Sequence, residues 1–126
     1  MPPLSIRNEK RVLKKIYDMA SAQLFAYPHT IEHDEEVLEK DQTLTFNERN
    51  AILYRLGEKK ILIALMIYVD KITPLLDMEF KSARKIVEKD RNLDECSDYI
   101  SNCIYYLIKK ENAGLEKQEK PAAITK

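Results

Sequence analysis

Two glycines in 126 residues constrain this chain more than any other feature. An all-β sandwich or barrel reverses direction every few residues, and its turns draw on glycine and proline. Two glycines and five prolines are too few for that architecture, and too few for a glycine-rich phosphate cradle. Helices are what remains. The 44% apolar share is enough for one modest core, and the 33% charged share suits extensive solvated helix surface. The expected fold is therefore all-α: an irregular bundle of four to five helices over residues 4–110, followed by a disordered tail at 111–126.

Hydrophobic periodicity places the helices. Residues 5–26 carry Val12, Ile16, Met19, Ala20 and Leu24 at helical spacing, with Leu13 widening the stripe and Ser5 as N-cap. Pro28 disfavours helix at Tyr27 and ends this segment. Residues 31–40 form a short helix capped by Thr30, with Glu32, Asp34, Glu35 and Glu36 at the positive end of its dipole. Thr45-x-x-Glu48 is a capping box that opens a long helix over 46–71. Its first half points Ile52, Leu53 and Leu56 inward. Its second half, Ile61 to Val69, is apolar all round and must be enclosed or form an interface. Gly57 stands within this helix at a cost of about 1 kcal/mol relative to alanine, which predicts close approach by a neighbouring backbone. A weaker pattern predicts a helix over 78–90 and a strong one a helix over 93–109, the latter with Asn92-x-x-Glu95 as a weaker cap signature.

Charge and cysteine content narrow the partners and the compartment. Lys plus Arg and Asp plus Glu number 21 each, so the net charge is zero and the excess cation a general nucleic-acid binder needs is absent. The zero is a sum over a basic first helix (Arg7, Lys10, Arg11, Lys14, Lys15) and an acidic second one. These two helices either complement each other or form a bipolar surface for a charged protein. The apolar run Ile61–Val69 spans about 13 Å as helix, against roughly 30 Å of hydrocarbon, so no membrane span is expected. Nor does the start of the chain read as a signal peptide. Cys96 and Cys103 stand about 10 Å apart on one helix, beyond disulfide reach. Free thiols of this kind suit the reducing cytoplasm or nucleus.

No constellation points to catalysis. His29-Thr30-Ile31-Glu32-His33 matches the inverted zinc-peptidase pattern H-x-x-E-H. A metal site needs both histidines one turn apart on a helix, and Thr30 as N-cap leaves His29 outside it, pointing elsewhere. No metal, catalytic residue or resident cofactor is therefore expected. The carboxylates Glu32/Glu36 and Glu35/Glu39 read as a solvated face. Tyr54, Tyr68, Tyr99, Tyr105 and Tyr106 read mostly as half-buried core edges, with interface anchoring as the alternative.

One stretch is more specific. Tyr27-Pro28-His29-Thr30-Ile31-Glu32-His33-Asp34-Glu35-Glu36-Val37-Leu38 is followed by Leu44-Thr45-x-x-Glu48-Arg49-x-Ala51-Ile52-x-Tyr54-Arg55-Leu56-Gly57-Glu58-Lys59-Lys60-Ile61-Leu62. Together with Asn8-Glu9-Lys10-Arg11-x-Leu13 it resembles the C-terminal, substrate-binding helical lobe of SET-domain protein lysine methyltransferases of the Rubisco large-subunit methyltransferase type. The resemblance covers residues 4–71, and Arg55 to Leu62 is its most specific part. His29 and His33 stand where that family usually has Thr and Glu. The resemblance implies a protein-substrate-binding module, with Tyr54, Arg55, Glu58 and Lys59 as candidate substrate contacts. S-adenosylmethionine belongs to the parent family's SET core, and no SET motifs occur in this sequence. Arg55 and Glu58 also have a packing role available, through an inter-helix salt bridge. The implied partners are a protein substrate or a SET core. The alternative function is a stand-alone helical adaptor that dimerises through Ile61–Val69.

Overall fold

A computed structural model of the protein describes residues 5–113. Helices dominate, and no strand occurs among the described residues. Helix α1 runs Ile6–Ala26, and Ser5 Oγ caps it by accepting from the Asn8 N–H at 3.0 Å. Helix α2 runs Ile31–Lys40, capped by Thr30, whose hydroxyl accepts from the His33 N–H at 3.1 Å. Helix α3 runs Phe46–Ile72. Thr45 Oγ1 accepts from the Glu48 N–H at 3.1 Å. The Glu48 carboxylate, instead of reaching back to the Thr45 backbone, accepts from that same hydroxyl at 3.1 Å. All three starts lie where short oxygen-bearing side chains relieve unpaired N–H groups.

Beyond α3 the chain differs from its expected outline. A 3-10 turn, Thr73–Asp77, carries Pro74 at its start, where the missing N–H costs nothing. Helix α4 is Phe80–Lys89. A second 3-10 segment, Arg91–Cys96, is capped by Asp90, which accepts from the Asn92 N–H at 3.0 Å. Asn92 is therefore not the cap. The residues expected to begin the last helix, 93–96, are wound in this tighter form. The last helix, α5, covers 97–113: an α turn Ser97–Tyr99, a π turn Ile100–Ile104, then α-helix over 105–113. Residues 111–113, expected to open the tail, belong to α5. The remainder of that expected tail, 114–126, lies outside the described residues.

The chain divides into two compact units. One comprises the chain up to Leu13 with the chain from Asp70 onward, the other Lys14–Val69. The first is packed on aliphatic side chains. Leu75, Leu93, Ile100, Ile104, Leu107 and Ile108 are fully buried. Phe80 meets Tyr105 edge-on at 5.1 Å, with Lys109 Nζ 4.3 Å over the Phe80 ring. Lys71 pairs with Asp90 at 2.8 Å, and Lys10 pairs with Asp77. Glu9, itself buried, accepts a hydrogen bond from the Tyr99 hydroxyl. Burial holds the Tyr99 phenol far above its ordinary pKa and pushes the Cys103 thiol up to about 11; the Glu9 carboxylate adds to both shifts. Cys96 and Cys103 are free thiols.

The second unit holds the later part of α1, all of α2 and most of α3. Its buried apolar side chains are few: Ala20, Leu56 and Val69. The stripe expected to face the core in α1 is rotated outward. Ile16 and Met19 are exposed while Ala20 is buried. Leu53, expected inward, is exposed as well, and Ile61, Leu65 and Ile67 of the all-apolar segment face solvent. No described helix is long and apolar enough to cross a membrane.

Candidate functional site

The second unit is organised around a buried ion pair. Lys59 on α3 and Asp34 on α2 are 2% and 7% exposed. Lys59 Nζ donates to the Asp34 carboxylate, and at 2.7 Å to the carbonyl of His29 in the α1–α2 loop. It also sits 5.1 Å from the centroid of the Tyr27 ring. One ammonium thus ties the end of α1, the cap of α2 and the middle of α3 together. A buried charge must be paired in this way or it would destabilise the fold. Lys60, the next residue, pairs with Glu35 at the surface at 3.3 Å. The acidic face of α2 is therefore matched from α3, while in α1 Lys14 pairs within its own helix with Asp18 at 3.7 Å.

One residue earlier, Glu58 accepts a hydrogen bond from the Tyr27 phenol at the end of α1, and Tyr54 stands one turn back on α3. Glu58 is the leading reason that both phenols are held above the ordinary tyrosine pKa, because ionising either would place its charge against the carboxylate. Arg55 is exposed, and its charge pulls the Tyr27 value the other way. Glu58 forms part of the wall of a cavity of about 520 Å³, with Gln23, Ala26, Tyr27, Ile61 and Leu62. A second cavity of about 300 Å³ opens on the other side of Tyr27, lined among others by Phe25, Pro28, His29, Ile31 and Lys59.

The four sequence candidates therefore separate. Glu58 lines the cavity, while Tyr54, 70% exposed, stands one turn back on α3 and is not part of its wall. Arg55 projects beside them. Lys59 is interior, where it organises the loop and helix junction. Glu58 has its inter-helix contact with the Tyr27 phenol in place of a salt bridge. Tyr27 joins the site although spacing alone did not nominate it. Its place immediately before Pro28, at the end of α1, was the available signal.

Two expectations about this region are overturned. His29 lies outside α2, as the Thr30 cap requires, yet it does not point away: its ring stacks on His33 at 4.2 Å and 23°. Two exposed stacked imidazoles are short of the third ligand a zinc site needs. No group of three or more His, Cys, Asp or Glu suited to a metal ion occurs among the described residues. Gly57 does not mark a close approach, since a Cβ built there would meet nothing within 4 Å. It lies on the exposed apolar side of α3, between Leu53 and Ile61.

Comparison with known proteins places these features. Residues 1–62 match the family described as Rubisco LSMT substrate-binding. Sixty residues are 45% identical to the actin-histidine N-methyltransferases of Papio anubis, Callithrix jacchus and Plecturocebus moloch, covering 48% of this chain and 10% of each relative. The matched part of the chain thus spans about a tenth of the length of those curated relatives. No solved structure matches the chain.

Proposed function

We infer, from the membership of residues 1–62 in the Rubisco LSMT substrate-binding family, that this chain holds a protein substrate for methyl transfer by a SET core. The 126-residue sequence itself contains the substrate-binding domain and no SET core. The observation that carries the reading is the coincidence of the matched residues with α1, α2 and the first half of α3. These are the helices that the Lys59–Asp34 pair locks together while Tyr54, Ile61 and Leu65 stay exposed. A module that presents apolar side chains on a rigid scaffold is built to dock another chain.

On this reading S-adenosylmethionine binds the SET core, supplied by a longer polypeptide or a partner, and not this chain. The free thiols Cys96 and Cys103 favour a cytoplasmic or nuclear setting.

The test is a chimera. Residues 1–62 replace the corresponding segment of the Papio anubis actin-histidine N-methyltransferase, and methyl transfer to actin is measured. A substrate-holding role predicts a changed KM for the protein substrate with kcat preserved within a few-fold. An unchanged KM, with the chimera folded and active, overturns it. The alternative, a free-standing adaptor that dimerises through Ile61–Val69, is favoured by the exposure of Ile61, Leu65 and Ile67. It requires a concentration-dependent dimer in sedimentation.

A further inference from the structure

We propose that the cavity formed by α1 and α3 takes one cationic side chain, lysine or arginine, presented by an otherwise apolar segment of a protein partner. This deepens the substrate-holding reading and rests on it.

Glu58 is the only ionic group in the wall of the 520 Å³ cavity; Ala26, Ile61 and Leu62 supply apolar surface, and Gln23 and the Tyr27 ring supply neutral polar edges. The carboxylate takes its hydrogen bond from a neutral phenol, Tyr27, and not from a cation. A neutral donor helps fix its position without cancelling its charge, and a carboxylate has lone pairs beyond that bond. It is thus poised to accept from an incoming ammonium or guanidinium. The apolar walls reduce the screening such a pair meets in open water. The Tyr27 ring borders the same space, but Lys59 Nζ already lies 5.1 Å from its centroid, so the ring offers apolar contact to an aliphatic stem and the cationic head is left to Glu58. The stem and its neighbours in sequence have a place as well. The exposed stripe continues from the cavity along α3 through Leu65 and along α1 through Met19 and Ile16. An acidic side chain would meet Glu58 with like charge, and a purely apolar one would strip water from the carboxylate without replacing it.

The test uses the full chain and a seven-residue acetylated, amidated peptide with a central lysine between leucines, against the same peptide with norleucine or glutamate. NMR titration is expected to shift the Tyr27 and Tyr54 ring resonances. It should also give the lysine peptide roughly tenfold tighter binding than norleucine, the scale of a hydrogen bond to a charged group. Glu58→Gln should bring lysine down to the norleucine level. Ile61→Ala, which keeps the carboxylate, should weaken both peptides alike. Equal affinity of the lysine and norleucine peptides, or a Glu58→Gln protein that keeps the difference, overturns the proposal and leaves the substrate-holding reading to the KM of the chimera. Resonances that move on dilution of the free chain and not with peptide also overturn it, by assigning the face to a second copy. A folded Ile61→Ala protein with unchanged binding removes the groove from the recognition.

Discussion

The two units of this protein are stabilised in opposite ways. The unit that includes α4 and α5 buries aliphatic side chains, with Leu75 and Ile104 at 0% exposure. The Lys14–Val69 unit buries few apolar residues, and the largest of its buried side chains is a charged one, Lys59. Its apolar side chains are plentiful but face outward. A unit whose apolar side chains face outward must hold its helices by other means, and a buried ion pair with a loop carbonyl does so. The difference teaches that the Lys14–Val69 unit is defined by polar contacts and the other unit by packing.

The sharpest way to break that contrast is to remove one member of the pair. Asp34→Ala leaves Lys59 buried without its counter-ion and should destabilise by about 3–5 kcal/mol in urea unfolding; replacing both with apolar residues of similar volume should recover most of it. Ile104→Ala should cost about 2–5 kcal/mol by opening a cavity in the aliphatic core. By contrast Leu65→Ala, exposed at 39%, should change stability by less than about 0.5 kcal/mol. If Leu65→Ala matches Ile104→Ala in the monomer, the two units do not differ as described.

The next effect is a pH dependence that Cys103 gives the packed unit. The Cys103 thiol is raised to about 11, above its unfolded value of about 8.5. Between those values the folded state binds more protons than the unfolded one, so stability is full below the unfolded pKa and falls as pH rises toward 11. Tyr99, raised further, extends the loss to higher pH. Cys103→Ala should flatten the decline of the melting temperature above pH 9. A decline identical to the parent's would show that Cys103 does not titrate as its surroundings dictate.

The last effect is a gain. Gly57→Ala should stabilise by about 1 kcal/mol, since the added methyl meets nothing and the unfolded chain loses freedom. An unchanged or lowered melting temperature would mean that something does approach that face, as a partner docked there would.

Much of this was legible in the chain. The caps at Ser5, Thr30 and Thr45, and the boundaries of α1, α2 and α3, follow from local rules because capping and periodicity act over three or four residues. The region after Pro74 was less legible. Asp90 took the cap expected of Asn92, a 3-10 segment precedes α5, and α5 contains a π turn, none of which the spacing of apolar residues distinguishes from a regular helix. The outward turn of Ile16 and Met19 was also hidden. Periodicity gives the spacing of an apolar stripe, and whether Met19 or Ala20 faces a neighbour depends on where the neighbour lies.

Scarce glycine, helical spacing and the Arg55–Leu62 signature determined by themselves an all-α protein and the similarity of residues 1–62 to the Rubisco LSMT substrate-binding family. Those properties are local, or are carried by residue identity, and need no knowledge of what packs on what. Only the tertiary structure decided that Lys59 is a buried clamp and that Glu58 joins Tyr27 beside an open cavity. Neighbours on one helix point in different directions, about 100° apart, and burial is fixed by contacts distant in sequence: Lys59 with Asp34 and His29, Glu58 with Tyr27.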